Sequence, residues 1–280
     1  MTTNVTNEKL YNGLEVIEEV INANADDLKS SFQIMHNYSI YNQIYAIMQM
    51  RAKKQKITPI RTFNQWQQLG YNVKKGSKAI RILFPVFVNI PVKDENGQEK
   101  KDENGKKITF KKLVNFTEKK MHFSMEDTNC PTMPEVQPIN NYNVDNALKQ
   151  LKIKTTDFEM IDGNCGGYAT KDKDGNRVIA INNMWNKEDC LHTLFHEIAH
   201  IVLKHSDKDY NKNRGLFEYE ADMTAYIVCK YLGLANERMT KRCKAYIQSW
   251  LKDDYKDAVS DNEVHKIMAA VDKILKAGLI

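Results

Sequence analysis

The sequence predicts an α+β chain of two domains: a small α+β domain, then a mainly helical one with a short sheet. Three observations point there. Apolar residues recur at helical spacing over 8–52, 193–203 and 217–229, whereas 80–116 and 166–182 read as strands joined by Asn-Gly and Asp-Gly turns. The stretch 129–138 holds three of the six prolines, which favours an extended, semi-rigid connection. Charge divides at the same place, with 20 Lys/Arg against 14 Asp/Glu over 1–128 and 21 against 22 over 129–280. These features set a first domain at 1–128, a Pro-rich linker at 129–140 and a second domain at 141–280.

Composition narrows the class. A chain of 280 residues can bury a substantial core, and 42% hydrophobic with 28% charged residues describes a folded chain, not a disordered one. No apolar run approaches the roughly 18 residues that would mark a membrane span. Residues 1–10 are polar and lack a secretory pattern. Five widely spaced cysteines form no Cys-x-x-Cys pair and read as reduced thiols. The expectation is a cytoplasmic protein with no membrane partner.

In the first domain, Leu10, Leu14, Ile17, Val20 and Ile21, then Phe32, Met35, Ile40, Ile44 and Ile47, place the core faces of helices over 8–52. Tyr38, Tyr41 and Tyr45 lie among them and are weighed as ligand contacts as well as core. Thr62 is suited to cap a short helix carrying Phe63, Trp66 and Leu69, and Gly70 to stop it. A basic turn over 73–81 feeds a strand from Ile80 to Val92, whose partner runs from Ile108 to Phe116. The tandem echo between them, with its two Asn-Gly turns, is a polar hairpin tip given no chemistry. Nine basic and no acidic residues lie between Arg51 and Arg81. Cations that neutralise phosphates and aromatics on which bases stack make Arg61, Trp66, Lys74, Lys75, Lys78 and Arg81 the candidate contacts to single-stranded nucleic acid. Trp66 serves equally well as the core anchor of a small domain.

In the second domain a helix is expected over 144–153 and a hairpin over 166–182. Asn186 is placed as the cap of the next helix, with Glu188 and Asp189 in its first turn. That helix carries His196-Glu197-Ile198-Ala199-His200. Two imidazoles four residues apart rise on one helix face, where one tetrahedral zinc can take both. Glu197 beside them is the expected general base, accepting a proton from zinc-activated water and returning it to a leaving amine. His192 and His205 are set aside as ligands. His192, His196 and His200 span two helical steps of four, about 12 Å of axis and too far for one ion, and Leu203 and Ser206 stand where the metzincin pattern needs glycine and histidine. A second helix begins at Phe217. Glu218 and Asp222 share one of its faces and Glu220 is turned roughly 200° away, which favours Glu218 as third ligand and Asp222 as the acceptor that orients a histidine. Glu220 and Asp222 stay as alternative ligands. Zinc suits the donor set and manganese is compatible with it. Tyr168 and Tyr226 are the candidates for stabilising an oxyanion, and the strand Val178 to Asn182 is expected to offer its edge to an extended peptide.

These residues resemble a known pairing. His-Glu-Ile-Ala-His, Glu218-Tyr219-Glu220-Ala221-Asp222 and the run to Cys229, with Leu232-Gly233-Leu234 and 246–250 beyond, are similar to gluzincin-type metallopeptidases of the ImmA/IrrE and ArdC kind. Tyr38-Ser39-Ile40-Tyr41-Asn42, 63–70 and 73–82 resemble the ArdC-type (LtrC-like) single-stranded DNA-binding domain. The chain departs from the usual Gly-Glu-Lys-Gly pattern with Gly76-Ser77-Lys78-Ala79, and from the usual aspartate-phenylalanine strand with 114–118. The resemblance implies Glu218 as third ligand and the role of such proteins, antirestriction by mobile elements that protect entering DNA. The leading expectation is an antirestriction protein that binds single-stranded DNA and carries a zinc-dependent peptidase site, with host restriction machinery or a repressor as protein substrate. Two others stand beside it: a DNA-binding protector whose zinc is structural or vestigial, and an ImmA-like regulatory protease that cuts a repressor.

Overall fold

The structure, a computed structural model, describes residues 12–133, 142–161, 165–184, 187–205, 210–252 and 260–279. The chain forms two compact units, one of residues 1–59 with 133–280 and the other of residues 60–132.

Three helices open the described chain: α1 (Gly13–Asn22), α2 (Ala25–Met35) and α3 (Ile40–Ala52). Each starts on a side-chain cap, Asn12, Asn24 and Ser39 respectively, and Asn12 completes a capping box with Glu15. Of the residues the spacing placed in the core, Ile17, Val20 and Ile21 on α1 and Ile40, Ile44 and Ile47 on α3 are buried, whereas Leu14 is half-buried and Val16 fills the α1 stripe beside them. Tyr41 and Tyr45 are buried as well, Tyr41 stacking on His265 with ring centroids 4.2 Å apart, so neither faces a ligand.

The 60–132 unit holds β1 (Ile60–Thr62), α4 (Phe63–Gln68), β2 (Ile80–Pro91) and β3 (Thr109–Ser124). The antiparallel sheet has the order β1-β3-β2. Thr62 caps α4 in a capping box with Gln65, and Gly70 (φ 82°) follows the helix in the left-handed region that glycine tolerates. Trp66 is fully buried and its Nε1–H donates to the Phe123 carbonyl at 2.9 Å. A six-residue helix on a three-stranded sheet has few ways to make a core, and an indole with its N–H satisfied fills the space.

The remaining elements are α5 (Val144–Leu151), β4 (Ile153–Phe158), β5 (Gly167–Lys171), β6 (Arg177–Asn182), α6 (Lys187–Val202), α7 (Tyr210–Tyr231), α8 (Glu237–Lys252) and α9 (Asp261–Ala277). Asn186 and the linker residues 134–140 lie outside the described residues, as does the Glu188 side chain. The sheet order is β4-β6-β5, with β6 parallel to β4 and antiparallel to β5. The edge expected of Val178 to Asn182 is therefore not there: β6 is the central strand, and β5 is the edge strand on its antiparallel side. Neighbours on both sides use up the backbone groups that a peptide would need.

The units part at 59/60 and at 132/133, the second of these within the Pro-rich stretch 129–140. Residues 1–59 group with the C-terminal helices because α1 and α3 pack on α9, and α2 packs on α7. The contact is close at one point: a Cβ on Gly13 would come within 2.9 Å of Asp261 Oδ1 and of Val264, and the Gly13 N–H donates to Asp261 Oδ1 at 2.6 Å.

Candidate metal centre

Helix α6 puts His196 and His200 one turn apart, and α7 packs along it with Glu218 and Asp222 on the facing side. The two Nε2 atoms lie 3.0 Å apart; Glu218 Oε2 is 3.4 Å from His196 Nε2 and Glu218 Oε1 is 3.8 Å from His200 Nε2. One donor atom from each of the three falls within 4.8 Å of the others. A tetrahedral zinc with bonds of about 2.1 Å sets its ligand atoms about 3.4 Å apart, so the three donors fit such an ion with little rearrangement. Among the described residues these three are the cluster that could hold a metal.

The partners behind the donors differ in kind. Asp222, nearly buried, accepts from His196 Nδ1–H at 2.9 Å. Burial alone would lower the pKa of His196, but hydrogen bonds to Asp222 and Glu218 outweigh it and raise the pKa to about 9. Burial first, and then His196 and His205 as neighbours, push His200 down to about 4. Glu197 is 8% exposed, and burial raises its pKa above the usual carboxylate value although a hydrogen bond from the Ala169 backbone opposes this.

A cleft of about 350 Å³ opens onto this centre, lined by Gly167, His192, His196, Glu197, Glu218 and Arg238 among others. Gly167 starts the edge strand β5, and a Cβ there would meet the Ala180 carbonyl oxygen and Thr193 Cγ2, each at 2.8 Å. His192 sits on the cleft wall, outside the three-donor cluster. Tyr226 is buried and its hydroxyl donates to Thr240 Oγ1 at 3.2 Å, while Tyr168 is half-exposed on β5 beside Phe158. Neither tyrosine lines the cleft.

His205 is the residue whose place the sequence did not reveal. It is fully buried, stacked on the Phe217 ring at 4.4 Å, with Nδ1 2.8 Å from His200 Nδ1 and Nε2 2.8 Å from Glu220 Oε2. Glu220 is buried against it and lies outside the three-donor cluster. The signal was slight: α6 ends at Val202, and Lys204 takes a positive φ of 59°, a turn that carries the next side chain back under the helix.

Of the six expected nucleic-acid contacts, Lys74, Lys75 and Lys78 have exposed side chains, and Lys74 Nζ also donates to the Glu126 carbonyl at 2.9 Å. Arg61 is half-buried over the Trp66 ring, 5.8 Å from its centroid. Two expectations are corrected. Trp66 is core, with no ring face left for a base, and Arg81 is buried with its guanidinium 3.8 Å from Glu118.

Comparison with known proteins matches two stretches of the chain. Residues 3–116 match the N-terminal domain of the anti-restriction factor ArdC, and residues 149–230 match the IrrE N-terminal-like domain of the M78 peptidase type. The fold is shared with the Mn(II)-bound crystal structure of antirestriction protein ArdC from plasmid R388, at 16% identity over 96% of this chain and 98% of that one, with a TM-score of 0.50. The metal-free crystal structure of the same protein aligns at 19% identity over 95% and 94%, with a TM-score of 0.48. An uncharacterized protein of Bacillus anthracis, pXO2-81, is 22% identical over 238 residues, which is 74% of this chain and 40% of that protein. The chain thus spans about two fifths of that relative's length. No helix among the described residues is long and apolar enough to cross a membrane.

Proposed function

We propose, from the premise that the chain is an ArdC-type protein in which an ArdC N-terminal domain precedes an IrrE-like peptidase-type domain, that it serves antirestriction by binding single-stranded DNA and cleaving a protein at a metal-dependent site. The observation that carries the second half is the convergence of His196, His200 and Glu218 beside a buried Glu197 in an open cleft. These three residues would hold zinc, or manganese in its place. An ion bound there supplies Lewis acidity, bringing the pKa of water toward about 7 and polarising a scissile carbonyl. Glu197, its carboxyl raised by burial, takes the proton of the attacking water and hands it to the leaving amine. The outer edge of β5, which begins at the cleft wall, supplies main-chain partners to an extended substrate. Lys74, Lys75, Lys78 and Arg61 supply phosphate contacts.

Glu197→Gln in the full chain tests the catalytic half. It is expected to keep its metal, to lose cleavage in a host-lysate screen and to lose protection of incoming DNA in restriction-challenged cells. Full protection by this variant would overturn a catalytic role. For the DNA half, the expected result is a salt-sensitive preference for single- over double-stranded DNA. Equal, salt-insensitive binding of both would overturn it.

A further inference from the structure

We infer that His205 and Glu220 are positioning residues for the metal centre: a buried relay that fixes the tautomer and the ring of His200. The proposal rests on the metal-site reading above and adds to it a second support, separate from Asp222.

For His200 to offer Nε2 to a metal, that nitrogen must carry the lone pair, so the proton of the neutral ring sits on Nδ1. His200 Nδ1 faces His205 Nδ1 at 2.8 Å, and of two nitrogens at that distance one must accept. With His200 Nδ1–H donating, His205 Nδ1 accepts and its own proton falls on Nε2. That nitrogen is 2.8 Å from Glu220 Oε2, so His205 Nε2–H donates to a carboxylate. The opposite neutral tautomer would aim the His205 Nε2 lone pair at that oxygen, two acceptors in contact. The chain Glu220–His205–His200 therefore has one self-consistent arrangement of protons when His200 is a ligand, and it leaves Nε2 bare.

The surroundings hold the relay rigid. His205 and Glu220 are each 1% exposed or less, and the Phe217 ring lies on His205 with an interplanar angle of 11°. Lys266 Nζ of α9 lies 4.0 Å from Glu220 Oε1. A hydrophobic core has no use for a histidine and a glutamate at such depth unless each satisfies a partner, and the partner at the end of this chain is a donor of the metal cluster. His196 receives the equivalent service from Asp222 in one step; His200 receives it in two.

Metal competition on the full-length protein tests this, with zinc alone as probe and a chromophoric chelator as competitor. His205→Ala is expected to weaken zinc binding about 10–100-fold. His205→Asn, whose Oδ1 can accept from His200 Nδ1–H at the same place, should recover most of that loss, and Glu220→Gln should lose less than Glu220→Ala. Val271→Ala, a truncation in the α9 core, should lower Tm while leaving zinc affinity within twofold. Nitrogen-15 spectra of the imidazoles in the zinc-loaded wild type should show His200 protonated at Nδ1 and His205 at Nε2, a readout that stands even where His205→Ala fails to fold. Wild-type zinc binding with unchanged affinity in His205→Ala, no recovery in His205→Asn, or a His200 protonated at Nε2 would each overturn the relay. Absence of zinc binding by the wild type would instead overturn the metal site itself.

Discussion

Asp222 Oδ1 lies 2.9 Å from His196 Nδ1, bridging α7 to α6 at the level of the three donors. The contact orients the ring and favours Nδ1 as the protonated nitrogen, leaving Nε2 for a metal. Asp222→Asn keeps the size and an acceptor oxygen but not the charge. It is expected to weaken zinc binding about tenfold, and Asp222→Ala by up to about 100-fold, both measured by chelator competition.

Glu218 is the donor that α7 contributes, 3.4 and 3.8 Å from the two histidine nitrogens. Glu218→Ala should therefore abolish stoichiometric zinc at micromolar protein, read by mass spectrometry under native conditions. Saturating zinc should raise the Tm of the wild type, since a ligand of the folded state alone stabilises by mass action. Zinc should leave the Tm of Glu218→Ala where it was, and a zinc-dependent rise in this variant would place the third donor elsewhere.

Trp66 and the lysines should separate stability from binding. Trp66→Ala removes a fully buried indole and its hydrogen bond to Phe123, and a loss of about 3–5 kcal/mol is expected in the 60–132 unit. Lys74→Ala/Lys75→Ala/Lys78→Ala in combination should leave Tm within a few degrees. The same variant should reduce the log–log salt slope of single-strand binding by about 2, at about 0.7 per phosphate contact. Titrations at several salt concentrations decide it.

Acid should loosen the 60–132 unit through His122. Burial pushes its pKa down to about 4 from the ordinary 6.5. Below pH 6.5 the unfolded chain takes up a proton that the folded unit refuses until about pH 4. Stability is therefore complete above the ordinary value and falls as pH drops through that window, by up to about 3 kcal/mol. Urea unfolding of wild type and His122→Gln at pH 7 and pH 4.5 checks it: the variant should show the smaller pH effect, and parallel losses in the two proteins would exclude His122 as the cause.

The histidine pair and its glutamates show how far one chain's residues could be read. His196, His200, Glu218 and Asp222 lie four apart in pairs on strongly periodic helices, and helical periodicity alone sets which side chains share a face. Their convergence needed only one further fact, that α6 and α7 pack together. His205 was opaque because it lies past the end of α6, where a positive φ at Lys204 redirects the chain, and no periodic rule reaches across such a turn.

What the sequence determined by itself is local: the capped helices, the hairpins at their Asn-Gly and Asp-Gly turns, the face of α6 that carries His196 and His200, and the basic turn over 73–81. What only the tertiary structure decided is the choice of partner. An apolar stripe on α1 or α3 states that it will be buried but not against what, and it found α9 rather than the adjacent sheet. The same holds for Trp66, whose amphipathic ring suits a core or a ligand equally until β3 offers its indole a carbonyl, and for β6, whose edges were filled by β4 and β5. Secondary structure follows from neighbours along the chain, whereas burial and pairing follow from contacts between segments far apart in it, and those depend on the whole packing at once.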